Sequence, residues 1–245
     1  RMAVELNPRS AEAYDLLGSA FVHALWNALL KRTREPEVAV VAVVVVSGAT
    51  SIALQLAFRS PFPPLAGLGL CALAGGLEAG YFVALARALS RAPLGPVYTV
   101  VRGGGLLVLW PAAILALGER LTPAIAAGTA PVLGGLVATG AAGGLRGAVS
   151  PRRLGWAAVA ALFVGSYSVA YKLSLNAGAS PTFVNASLVV AAIVNVTMVD
   201  AGKRRAAVRA LGAEPVKIVV AGVLGSSGFL LVLVAMQAAG AGLVL

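Results

Sequence analysis

Residues 38–58 run for 21 positions without an acidic or basic side chain, most of them valine, alanine or other apolar residues. In water a valine-rich run suggests a strand. Twenty or so unbroken apolar residues instead mark a membrane helix, because a hydrocarbon core of ~30 Å is spanned by about 20 residues at ~1.5 Å each. Seven more apolar runs follow the same plan: 16–30, 65–89, 97–117, 124–144, 154–175, 182–199 and 216–237. Residues 242–245 open like a ninth. The first run is short for a span, so its helix is expected to begin nearer Ala11, with Glu12 and Asp15 at the interface. Proline, glycine and charge punctuate the runs, as at Ser60-Pro-Phe-Pro-Pro64, Ser90 to Pro96 and Gly118 to Pro123. A basic loop covers 146–153, and a second loop is expected over 200–215.

Only 11% of residues are charged, 59% are hydrophobic and the mean hydropathy is +0.91. Soluble domains are about 25% charged, so the chain belongs with integral membrane proteins. The net charge of +10 does not point to nucleic acid. The lysines and arginines cluster between the apolar runs, where they set topology and meet anionic lipid head groups. A lone Cys71 excludes a disulfide framework, and a single histidine excludes a histidine metal cluster. No cofactor motif is present, and Gly225-Ser-Ser-Gly228 has no convincing base, so the chain is not read as an enzyme.

Residues 1–15 are polar. Ala3, Pro8, Tyr14, Leu17, Gly18 and Phe21 fall at spacings similar to a junction between two tetratricopeptide repeats, but a solenoid needs about three. The chain begins at Arg1 and stops inside an apolar stretch, so a longer parent protein is expected.

Two charges fall inside apolar runs: Glu78 in the third and Arg102 in the fourth. A charge at membrane depth costs about 2.5 kcal/mol or more and by default marks a pathway or a site. Counted from the connecting loop, Glu78 lies ~16 Å deep and Arg102 ~8 Å deep. An extended Arg102 would reach towards Glu78. Either the two form a buried ion pair that fixes the hairpin, or Glu78 exchanges a proton while Arg102 or substrate competes for it. Tyr81 lies one turn from Glu78, and Tyr98 one turn from Arg102. His23, Trp26 and Asn27 share one face of the first helix, and His23 is a candidate proton carrier. Ser166, Tyr167 and Tyr171 form the counterpart face of the sixth run. Asn185 and Asn195 lie in the seventh, where interhelical hydrogen bonding alone would account for them.

The chain repeats weakly. A shift of 142 residues sets Phe21, Val22 and Ala28 on Phe163, Val164 and Ala170. A shift of 147 sets Gly75, Phe82, Ala88, Ala92, Gly95 and Val97 on Gly222, Phe229, Ala235, Ala239, Gly242 and Val244. The near-equal offsets imply a repeat of five helices. Five is odd, so the second copy enters the membrane from the opposite face, a transporter architecture with its site near mid-membrane. The expected fold is an all-α polytopic transmembrane bundle of about 8 helices: a first repeat over 16–145 and a second, incomplete one over 154–245. Thirteen basic residues fall on one side, in the loops 31–34, 87–91, 146–153 and 203–217, against five on the other. The positive-inside bias places the thirteen in the cytoplasm and the amino terminus outside.

The segments His23-Ala-Leu-Trp-Asn-Ala-Leu-Leu-Lys31, Tyr81 to Ala92 with Pro96-Val-Tyr98, Arg102-Gly103 and Gly118-Glu-Arg-Leu-Thr122 resemble the EamA-type branch of the drug/metabolite transporter superfamily. The resemblance runs from about Leu16 to the end of the chain. It implies a ten-helix carrier of two inverted five-helix halves, of which this chain lacks the last two helices, and secondary transport of small metabolites. It departs from the family in its polar start and in its outward amino terminus. The expected function is a secondary transporter working by alternating access, coupled to protons, in a bacterial inner membrane. Its expected partners are membrane lipids, a small metabolite and protons, without nucleic acid, metal or cofactor. The rival readings are an intramembrane lipid-modifying enzyme and a non-transporting membrane scaffold.

Overall fold

A computed structural model describes residues 8–118 and 151–238, with 130–131, 133–135 and 138 between them. Apart from those few positions, the fifth expected run, 124–144, lies outside the described residues. So do 1–7, 119–123, 146–150 and 239–245.

The described chain is helical throughout. Its elements are α1 (Pro8–Lys31), α2 (Pro36–Phe58), α3 (Leu65–Arg91), α4 (Leu94–Leu117), α5 (Pro151–Asn176), α6 (Pro181–Asn185), α7 (Ser187–Met198), α8 (Ala201–Ala213) and α9 (Pro215–Ala238). Six spans are long and apolar enough to cross a membrane: Pro36–Phe58, Leu65–Arg91, Leu94–Leu117, Arg153–Asn176, Pro181–Met198 and Pro215–Gln237. The helix α1 has the length for a span, at 24 residues, but Ser19, His23 and Asn27 interrupt its apolar character, and it is not among the six.

Local chemistry sets the boundaries. Proline opens α2 and α6 in the first turn, where its missing N–H costs nothing. Ser180 caps α6 by accepting from the Phe183 N–H at 3.2 Å. Gly118 closes α4 at φ 66°, a left-handed conformation that glycine takes without penalty. The expected 200–215 loop is instead the helix α8. It lacks the apolar run that marks a span, but it is alanine-rich, and Asp200 accepts from the Lys203 N–H at 2.8 Å as its N-cap.

The packing departs from the expected hairpin. The helices α3 and α4 touch little, because α5 packs against both. Glycines admit it: a Cβ on Gly80 would lie 2.4 Å from the Phe163 ring, and one on Gly104 2.8 Å from Ala161. The helix α1 packs along α9, and α2 lies against α7 and α9.

These contacts fix directions. Gly18 faces Leu231 and Gly228 faces His23, while Lys217 donates to the Arg32 carbonyl at 3.5 Å, so α1 and α9 are antiparallel. Gly67 faces Ala177, and Arg87 lies over Trp156, so α3 and α5 are antiparallel. Gly48 faces Leu188, and the Ser60 and Thr182 hydroxyls meet at 2.6 Å, so α2 and α7 are antiparallel. One end of the bundle therefore gathers Lys31, Arg87, Arg91, Arg153 and all of α8. The other carries Arg59 and Lys172. At the basic end Lys31 donates to the Leu89 and Ala92 carbonyls, tying α1 to the end of α3.

Candidate functional site

Glu78 is the central residue of the 27 in α3, so it lies roughly 20 Å from either end. Its side chain is fully buried. Carboxylate Oε2 accepts from the Ser187 hydroxyl at 2.9 Å, and Oε1 has no hydrogen-bond partner. Ser187 is the first residue of α7, just past the single residue, Ala186, that interrupts the span from Pro181 to Met198. The carboxyl thus sits beside the point where that span is interrupted, and the Ser187 hydroxyl is the donor it meets there. Gly75 permits this approach: a Cβ there would come within 2.4 Å of the Ser187 carbonyl oxygen.

Next to Glu78 lies an aromatic cluster drawn from α1, α3, α5 and α9. Phe229 is its hub, with ring centroids 5.1 Å from His23, 6.2 Å from Phe82, 5.9 Å from Tyr167 and 6.3 Å from Tyr171. Tyr81 stands edge-on to Tyr167 at 5.6 Å, and Trp26 packs on Phe82 at 5.9 Å. All of these rings are buried. Edge-to-face and tilted arrangements such as these are the favoured ones for aromatic quadrupoles. The cluster is not polar-saturated, since Trp26 Nε1 and the Tyr171 hydroxyl have no partner.

His23 Nδ1 lies 3.0 Å from the Ser19 carbonyl oxygen and 3.3 Å from the Ser19 hydroxyl. A carbonyl only accepts, so Nδ1 carries the proton and Nε2 is left as the basic nitrogen. Asn27 donates to the His23 carbonyl at 2.7 Å, while its Oδ1 is unpartnered.

Arg102 and Glu78 are not paired. Arg102 is half-buried, with its guanidinium 5.6 Å from the Tyr98 ring centroid, and its electrostatic neighbours are the phenols of Tyr98, Tyr81 and Tyr167. The ion-pair alternative of the sequence fails for a packing reason, because α5 separates the two helices. Tyr167 has both charges, Arg102 and Glu78, among its electrostatic neighbours.

The structure therefore brings together Glu78, Arg102, His23, Trp26, Tyr81, Tyr98, Tyr167 and Tyr171, with Asn27 behind His23. Ser166 does not join them; it is half-buried, and its hydroxyl bonds the Leu162 carbonyl of its own helix. Asn185 is buried and donates to the Ser226 hydroxyl at 3.0 Å, tying α6 to α9. Sequence reasoning missed Ser187, Phe82 and Phe229 as site residues. Phe82 and Phe229 carried a signal, since a shift of 147 residues sets one on the other. Among the described residues no group of His, Cys, Asp and Glu could hold a metal ion.

The chain is thus an all-helical protein with membrane-spanning helices and a buried, incompletely satisfied polar site between them. No protein-family model and no curated protein matches its sequence. Its fold is similar to a solved one described only as "Crystal structure of protein", at 24% identity and a TM-score of 0.54, covering 94% of this chain and 93% of that one. That likeness concerns the fold alone.

Proposed function

We propose that the chain is a secondary transporter of small metabolites that works by alternating access and couples to protons through Glu78. The carrying observation is the carboxyl at the centre of α3, fully buried, with one oxygen bonded and the other bare. An intramembrane carboxyl with spare acceptor capacity beside a helix break is what proton-coupled carriers use at the midplane. The aromatic cluster and Arg102 offer a substrate stacking surfaces, a cation and unpaired donors at the same depth.

The packing supports an inverted repeat of the EamA type. The helices α1, α2 and α3 correspond to α5, the α6–α7 pair and α9, and each runs opposite to its counterpart. Reciprocal contacts agree. Gly75 of α3 packs against Ser187 and Val190 of α7, while Gly222 of α9 packs against Val43 and Val46 of α2. A single shift of 144 residues carries Val43 to Ser187 and Val46 to Val190. The same shift carries Gly48 to Ala192, and these two touch each other, as residues on a two-fold axis would. The basic end is read as cytoplasmic by the positive-inside bias, with loops 31–34, 87–91 and 203–217 facing inward, in a bacterial inner membrane.

The test is transport in proteoliposomes of radiolabelled amino acids, nucleosides and organic cations, with and without a pH gradient. The expected result is uptake of at least one class that the gradient accelerates and that Glu78→Gln abolishes while the protein still folds. Gradient-driven transport unchanged in Glu78→Gln would remove the reading.

A further inference from the structure

At the basic end, two cavities adjoin between α2, α3, α5 and α7. The first, about 160 Å³, is polar and lined by Glu37, Arg87, Asp200 and Lys203. The second, about 390 Å³, is an apolar groove walled by Gly76, Gly80, Trp156, Phe163 and Val194. The two share Val83, Asn195 and Met198, so they lie side by side. Along α3 the groove runs from Ala84 to Gly76, about 12 Å at ~1.5 Å per residue, from the bundle end towards its middle.

Asn195 stands at the junction. Its side chain is buried, and its amide nitrogen donates to the Ala191 carbonyl at 2.9 Å and the Ala79 carbonyl at 3.4 Å. Turning the amide over would set oxygen against both carbonyls, so this orientation is fixed. Its Oδ1 is then left without a partner.

The polar cavity holds two carboxylates and two cations. Arg87 is held over the Trp156 ring at 4.4 Å and makes no ion pair among the described residues. Among the described residues Glu37 accepts only from the Ser90 hydroxyl, at 2.7 Å. The balance of signs decides the ligand. An anionic head group would satisfy the cations and repel Glu37 and Asp200. A quaternary amine would carry charge but no N–H for the acceptors. A primary ammonium with a phosphate satisfies both.

We propose that this double cavity is a binding site for a phosphoethanolamine lipid. Arg87 and Lys203 take its phosphate, Glu37 and Asp200 accept from its ammonium, and one acyl chain lies in the groove along Gly76 and Gly80. The lipid's own polarity matches the site: its head lies at the basic end and its tail points inward. The site lies apart from Glu78 and does not depend on the transport reading.

The test is thermal unfolding of the 245-residue chain in detergent, with phosphatidylethanolamine, phosphatidylcholine or phosphatidylglycerol of equal acyl length added. Native mass spectrometry counts the lipid retained. Phosphatidylethanolamine is expected to raise the midpoint by several degrees and to stay bound as one copy, with the other two giving at most half that shift. Glu37→Gln and Arg87→Gln are each expected to remove the preference, read as the shift from that variant's own lipid-free midpoint. Equal shifts from phosphatidylcholine, a larger shift from phosphatidylglycerol, or a preference that survives in both variants would overturn the proposal.

Discussion

The Ser187 hydroxyl donates to Glu78 Oε2 at 2.9 Å across the α3–α7 interface, joining residues 109 positions apart in the chain. It is the only hydrogen bond that the buried carboxyl receives from the described residues, and it comes from the turn at which the span from Pro181 to Met198 is interrupted.

Ser187→Ala removes that donor and leaves both carboxylate oxygens unmet. The expected loss of stability is about 1–3 kcal/mol. A reversible unfolding titration in mixed micelles measures it. Glu78→Gln in the same background should recover part of the loss, because the amide is easier to bury uncharged than the carboxylate. Two independent, additive effects would mean that the residues do not interact.

Phe229 is the hub of the aromatic cluster, so its truncation opens a cavity among the four rings that surround it. Phe229→Ala is expected to cost about 3–5 kcal/mol, and Phe229→Leu clearly less. The same titration reports both. Equal costs for the two would show that ring packing is not what Phe229 contributes.

Gly75 and Gly76 provide a matched pair on one helix. A Cβ on Gly75 would meet the Ser187 oxygen at 2.4 Å and Val190 at 2.6 Å, whereas one on Gly76 meets nothing within 4 Å. Gly75→Ala forces α3 and α7 apart, with an expected cost of about 1–3 kcal/mol. Gly76→Ala should be neutral or stabilising, since alanine is the better helix former by up to ~1 kcal/mol. The order of the two midpoints is the observable.

Two carboxyls at the basic end lie outside the spans. The Lys203 N–H holds the Asp200 carboxyl below its ordinary range, and the Lys217 ammonium, at 2.5 Å, does the same for Glu214. A folded-state pKa that is lowered adds stability above the unfolded value, near 4, and that contribution is lost as pH falls through the folded one. Amide exchange in α8, corrected for intrinsic rate, is therefore expected to quicken below about pH 4. Asp200→Ala should show the faster exchange already at neutral pH and lose most of the acid response.

Much of the helical layout was legible because apolar run length is a direct physical requirement of a bilayer. Five observed helices, α2, α3, α4, α5 and α9, start or stop within a few residues of the runs, with proline and glycine marking the ends. The helix α8 was not legible in that way, since it spans nothing; its signals are a single capping aspartate and an alanine-rich composition. For the site, the intramembrane charges and the polar faces of α1 and α5 stood out as exceptions in an apolar background. The partner of Glu78 did not. A hairpin argument pairs neighbours in sequence, and here the neighbours α3 and α4 are held apart by α5. Ser187 looks like any other small residue of its helix until the tertiary packing places it.

The insertion of α5 between α3 and α4 sets a timetable for biogenesis. At ~5–20 residues per second, roughly 5–20 s pass between synthesis of Glu78 and synthesis of Ser187. By the later part of that interval α3 and α4 are both made, yet neither has the partner surface it will finally bury against. An early hairpin with a lone carboxyl facing acyl chains is a poor intermediate. A chain stalled before α7 is therefore expected to stay with the insertion machinery, sheltered from the lipid, until the later helices emerge to fill the gap.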